Sequence, residues 1–122
     1  MSSDRVIRQP DTPGHLLLLF HGVGASADDL APLGEALAHA LPRAWIVSLQ
    51  APERMGPGWQ WFSVAGIRDE DRPARVAKAM PGFVTRVHAW QAASRLSAQA
   101  TTLLGFSQGG IMALESTQLE PA

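Results

Sequence analysis

Ser107 lies in the run Gly105-Phe106-Ser107-Gln108-Gly109, a serine with a glycine two residues away on either side. A serine hydroxyl attacks a carbonyl carbon when a turn exposes it, donors receive the charge on the carbonyl oxygen, and a base takes its proton. The G-x-S-x-G spacing answers the first need. A strand turning directly into a helix forces the serine into a strained backbone conformation, and neighbours without a Cβ let the turn close. The backbone N–H of Gln108 then opens a helix, where donors are free and the dipole favours developing negative charge. The pattern is common by itself and gains meaning only between a strand and a helix. Here "ATTLLGF", residues 100–106, reads as a strand, and "GGIMALESTQ" begins a helix. A glycine-rich packing turn or a phosphate-binding turn is the competing reading. The Walker form is excluded because no G-K-[ST] follows, and G-x-G-x-x-G is missing.

A second oxyanion donor commonly comes from the loop after an earlier strand. "FHGVGAS", residues 20–26, follows such a strand and carries Gly22 and Gly24; the N–H of Val23 is the expected donor. An ordinary glycine-rich turn before a helix would look the same. The base is harder to find. No histidine follows Ser107, and the acids after it are Glu115 and Glu120. His21 is the best placed of the four histidines to substitute, against the commoner structural role of a buried imidazole. His15 precedes a strand, and His39 and His88 lie on helices, where solvated or capping roles are expected.

The elements that must position these groups follow from apolar periodicity. Leu16 to Phe20 and "AWIVSLQ", residues 44–50, are short bounded apolar runs suited to strands buried on both faces. Between them, Leu30, Leu33, Leu37, Ala40 and Leu41 recur at helical spacing, with Ser26, Asp28 and Asp29 as capping oxygens and Pro32 in the first turn. "APERMGPGWQWFSVAG" reads as a loop carrying Trp59, Trp61 and Phe62. Val76, Met80, Phe83, Val87 and Trp90 mark a helix from about 72 to 96, with Pro81-Gly82 expected to kink or split it. Alternating strands and helices give an α/β architecture, a mostly parallel sheet with helices on both faces. Both the "HGVGAS" and "SQGG" turns then fall beyond the carboxyl ends of strands, where such sheets bind ligands.

Composition narrows the classes further. The 122 residues are the size of one ordinary domain, so a single domain over 1–122 is expected, with 46% hydrophobic and 17% charged residues and a net charge of −1. A nucleic-acid or anionic-membrane partner is not indicated. The absence of cysteine excludes disulfides, thiolate metal sites and a thiol nucleophile. Acidic Asp4 and Asp11 occupy the place of a signal peptide's basic and apolar regions, and "LLLLF" is too short to span a bilayer. A cytoplasmic location is the expectation.

The segments "LLLLFHGVGAS", "SLQAPE", "GWQWFS" and "LLGFSQGGIMALES", in this order and spacing, resemble the phospholipase/carboxylesterase family of α/β-hydrolases. Within that family, "QWFS" is closer to the bacterial carboxylesterases than to the acyl-protein thioesterases. The resemblance implies an α/β-hydrolase fold and hydrolysis of a small-molecule carboxylic ester or thioester by a Ser-Asp-His triad, without metal or cofactor. Carried over, Ser107 is the nucleophile and Val23 and Gln108 supply oxyanion N–H groups. Trp61, Phe62, His21 and Gly22 are expected on the substrate side, with core packing of Trp61 and Phe62 as the alternative.

The family's aspartate and histidine belong after later strands, and those strands do not occur here. The chain therefore reads as a partial hydrolase domain that stops after the nucleophile helix. Its third strand would carry an unpaired apolar edge, open to a homo-oligomeric partner or to the missing C-terminal portion. A noncatalytic hydrolase-like fragment or interaction module is the rival expectation.

Overall fold

The computed structural model describes residues 3–119. Among them are six strands and three α-helices: β1 (Arg5–Arg8), β2 (His15–Phe20), α1 (Ala31–Ala40), β3 (Ala44–Leu49), β4 (Glu53–Met55), β5 (Gly58–Gln60), α2 (Arg72–Ser94), β6 (Thr101–Gly105) and α3 (Gln108–Leu119). The main sheet has the order β1-β3-β2-β6. β2 pairs in parallel with both β3 and β6, so Phe20 stands opposite Leu49 on one side and Gly105 on the other. The ends of the three parallel strands therefore coincide, and the turns that follow them are neighbours.

Side chains alternate across a strand, so the apolar run of β2 serves two cores. Leu16, Leu18 and Phe20 face one core, with Trp45, Val47 and Leu49 of β3, Val76, Met80, Phe83 and Val87 of α2, and Met112 of α3. Leu17 and Leu19 face the other, with Ala44, Ile46 and Ala38 of α1. Helices thus cover both faces of an α/β sheet, as expected from the sequence.

Four details differ from that expectation. β1 adds an antiparallel strand to β3, with Val6 opposite Val47; only Val6 and Ile7 between two arginines mark it, too short an apolar run to announce a strand. The segment read as a loop contains the β4–β5 hairpin, with Met55 opposite Gly58. Gly56, at φ 60°, supplies the positive φ that a two-residue hairpin loop needs. α2 runs unbroken through Pro81, which lies on its exposed side. Finally, α1 turns small residues to the sheet. Ala31, Gly34 and Ala38 are buried, whereas Leu41 is 43% exposed. A Cβ on Gly34 would stand 2.2 Å from Ile7 Cδ1, so this glycine sets the close approach of α1 to β1.

Among the described residues β6 is the last strand on its side of the sheet. Along it runs an open groove of about 690 Å³ lined by Leu103, Leu104, Gly105, Ala113 and Leu114, the last 63% exposed. Phe20 is fully buried, with its ring centroid 4.7 Å from that of Phe83 and 5.5 Å from that of Trp61. Phe20→Ala is expected to lower the urea-unfolding free energy by about 3–5 kcal/mol. A change below about 1 kcal/mol would show that this ring does not anchor the helix layer to β2.

Candidate active site

Ser107 stands at φ 53°, in the left-handed region that non-glycine residues rarely occupy, at the corner between β6 and α3. It is exposed. The two glycines around it explain how the corner closes. A Cβ on Gly105 would lie 2.4 Å from the Gly109 carbonyl oxygen, and one on Gly109 would lie 2.3 Å from the Phe20 carbonyl oxygen and 2.6 Å from that of His21. Each obstacle is backbone and cannot swing aside. The ladder continues past Gly105, since the Phe106 N–H donates to the Phe20 carbonyl at 3.0 Å. The Gly109 and Ile111 N–H groups bond to Phe106 and Ser107 carbonyls. Among the described residues the Gln108 N–H has no acceptor.

The loop after β2 meets this corner. A Cβ on Gly22 would stand 3.2 Å from Ser107 Cβ and 3.8 Å from Ser107 Oγ, so this backbone passes directly against the serine. The Gly22 carbonyl accepts from the Ala25 N–H at 3.2 Å and lies 2.8 Å from His21 Nδ1. In a trans peptide the C=O and the next N–H point in opposite directions. The Val23 N–H is therefore aimed away from His21. It too lacks an acceptor among the described residues. The β4–β5 hairpin holds the other end of the loop. The Gly24 N–H donates to the Trp59 carbonyl at 2.8 Å, the Trp59 N–H donates to the Ala25 carbonyl at 2.9 Å, and a Cβ on Gly58 would fall 2.0 Å from the Gly24 oxygen.

His21 is fully buried, and both ring nitrogens are occupied by backbone. The Ala51 N–H donates to Nε2 at 3.0 Å, which requires a lone pair there, and the Gly22 carbonyl then takes the proton on Nδ1. Burial pushes the pKa below its ordinary 6.5; the Gly22 carbonyl and the Asp29 charge oppose that shift, and the Arg86 charge adds to it. An imidazole so placed has no free nitrogen to take a proton from Ser107 and fills the structural role weighed for it in the sequence. Its burial also turns it away from the substrate side where it was expected. His39 and His88 are exposed on helices, and His15 Nε2 lies 2.7 Å from Thr102 Oγ1 at the start of β2. Glu115 is exposed on α3, and Glu120 lies outside the described residues.

Trp61 and Phe62 are 2% and 4% exposed. The Trp61 ring packs on Phe20, Phe83 and His21, and its indole N–H donates to the His21 carbonyl at 2.8 Å. These side chains are core, not pocket wall, because the indole finds its polar partner inward. Gln108 has a role its position in the motif did not announce. Its buried amide accepts from the Trp61 N–H and donates to the Phe62 carbonyl at 2.7 Å, clasping the loop that follows β5. Val23 and Phe106 are the large apolar residues left exposed next to Gly22 and Ser107, at 38% and 41%. Among the described residues no group of three or more His, Cys, Asp or Glu side chains could hold a metal ion, and no helix is long and apolar enough to cross a membrane.

A family model described as Phospholipase/Carboxylesterase matches residues 1–122. The chain is 47% identical over 119 residues to Esterase YpfH of Escherichia coli K12, covering 95% of this chain and 51% of that protein. A crystal structure of esterase PE8 superposes with a TM-score of 0.79 at 32% identity, over 86% of this chain and 51% of that one. The carboxylesterase from Mesorhizobium loti, at 23% identity and a TM-score of 0.71, shares the fold over 88% of this chain and 50% of its own. The chain thus spans about half the length of these relatives.

Two outcomes test this geometry. Ser107→Gly removes a left-handed non-glycine residue, and after the entropy of a glycine in the unfolded chain is deducted it should gain up to about 1 kcal/mol in urea unfolding. A loss of stability instead, as the entropy of glycine alone would give, would mean the corner carries no strain. For His21, the unfolded chain binds a proton near pH 6.5 that the folded chain refuses, so this contribution is complete above that pH and shrinks as pH falls through it. Comparing wild type with His21→Gln by urea unfolding at pH 7.5 and 5.5, the wild type should lose the extra stability at the lower pH. An equal loss in both would refute the neutral, buried imidazole.

Proposed function

The chain belongs to the phospholipase/carboxylesterase family, and on that premise we propose that it carries the nucleophile half of a serine carboxylester hydrolase. Ser107 Oγ attacks the carbonyl carbon of a small-molecule ester or thioester. The carbonyl oxygen becomes a tetrahedral oxyanion that accepts hydrogen bonds from the Val23 and Gln108 N–H groups. Collapse releases the alcohol or thiol and leaves an acyl group on Ser107; water then attacks, and the same two donors serve the second oxyanion. The observation that carries the reading is the junction itself: an exposed serine at φ 53°, against Gly22, with two main-chain N–H groups that lack acceptors among the described residues.

The base is a histidine oriented by an aspartate, both contributed from outside these 122 residues. Three things support this: both nitrogens of His21 are bonded to backbone, the other histidines sit on helices or at the start of β2, and the relatives are about twice as long. The reaction proposed needs neither metal nor cofactor. The groove along β6 favours one second reading, a noncatalytic module that binds another chain through that edge. It requires a Ser107 that fluorophosphonates do not label.

In the full-length protein, Ser107→Ala should reduce turnover of p-nitrophenyl acetate by a factor of about 10⁴ or more, with the fold retained. Wild-type Ser107 should be labelled covalently by a fluorophosphonate. Turnover that survives the substitution would reject Ser107 as nucleophile, and an unlabelled serine in a folded full-length protein would favour the binding module.

A further inference from the structure

Asp4 and Arg86 form an ion pair whose carboxylate side chain is only 4% exposed and whose guanidinium is 27% exposed. The pair encloses the backbone of Gln50. The Gln50 N–H donates to Asp4 Oδ1 at 2.9 Å, and the Gln50 carbonyl accepts from Arg86 Nη1 at 2.5 Å. The Trp90 indole N–H completes the carboxylate's partners at 3.0 Å, and Trp61 offers its ring face to the guanidinium at 5.7 Å. An ion pair this deep is costly to desolvate and is weak evidence of stabilisation by itself. What it does hold is one peptide. The Gln50 carbonyl and the Ala51 N–H belong to the same peptide plane, so anchoring the carbonyl on Arg86 aims the N–H the opposite way, onto His21 Nε2.

We infer that Arg86, locked by Asp4, is a positioning residue for the oxyanion loop. It holds the Gln50–Ala51 peptide against His21 Nε2, which leaves the proton on Nδ1 for the Gly22 carbonyl and so sets the direction of the Val23 N–H. Two peptide planes and one imidazole connect the guanidinium to the donor. Each link has a fixed polarity, because a carbonyl oxygen only accepts and an amide N–H only donates. Arg86 touches neither substrate nor Ser107. The inference rests on the reading of Val23 as an oxyanion donor.

The test uses the full-length protein, with p-nitrophenyl acetate turnover counted per folded molecule. A donor that is present but misdirected costs less than one deleted, so Arg86→Met should lower kcat about tenfold while KM stays within about twofold. Asp4→Asn should act in the same direction and more mildly. In the wild type, the imidazole 15N spectrum at pH 7.5 should show His21 neutral with its proton on Nδ1. Arg86→Met with kcat within about twofold of wild type would overturn the inference, as would a loss that disappears once unfolded protein is discounted, or one confined to KM. If neither variant folds, the wild-type spectrum decides, since an Nε2–H tautomer or an imidazolium there breaks the relay. Turnover that persists in Ser107→Ala retires the hydrolase reading instead, whatever the Arg86 variants do.

Discussion

Three stretches of backbone meet at Ser107, with no room for a Cβ at Gly105 or Gly109 and little at Gly22. Gly109 lies on the Phe20 and His21 carbonyls, Gly105 lies on Gly109, and Gly22 passes Ser107 itself. Everything proposed for this site depends on that contact. It lets α3 start directly off β6, leaves Ser107 at φ 53°, and brings the loop after β2 against the serine. Alanine at Gly105 or Gly109 would collide with backbone, which only the parting of a strand and a helix could relieve.

The surrounding loops are tied together by side chains that act as neutral spacers between main-chain groups. His21 joins the Ala51 N–H to the Gly22 carbonyl, and Gln108 joins the Trp61 N–H to the Phe62 carbonyl. Both side chains are buried. In such surroundings a charged group would need a counter-ion or a shifted pKa, whereas an amide or a neutral imidazole satisfies one donor and one acceptor without either. The formal charges sit one layer farther out, on Asp4 and Arg86, where part of the guanidinium reaches solvent. In the reaction proposed above, the field at the oxyanion comes from oriented peptide dipoles, which need no reorganisation during reaction.

The sheet divides the work along its length. β2 is buried on both faces and supplies the rigid reference, while β6 carries the serine and ends the sheet among the described residues. Such an arrangement puts the reactive corner at the border between a finished core and an apolar groove along β6 and α3. Relatives about twice as long have further chain with which to cover such a border.

Much of this was legible in residue types alone. The apolar runs of β2, β3 and β6, the 3- and 4-residue spacing of Val76, Met80, Phe83 and Val87, and the two glycines around Ser107 each reflect a local rule, so each could be read locally. The family follows from the same stretches. The tertiary structure alone decided that β1 and the β4–β5 hairpin exist, that α1 presents small residues to the sheet, and that Trp61, Phe62 and His21 face inward. It also joined Asp4 to Arg86, 82 positions apart. For the added strands and for the inward-facing His21 and Trp61, the reason is which backbone N–H or carbonyl lies across the gap, and those groups are alike at nearly every residue. The face of α1 and the Asp4–Arg86 pair depend instead on which side chains the fold brings together, Gly34 against Ile7 and two residues far apart in sequence.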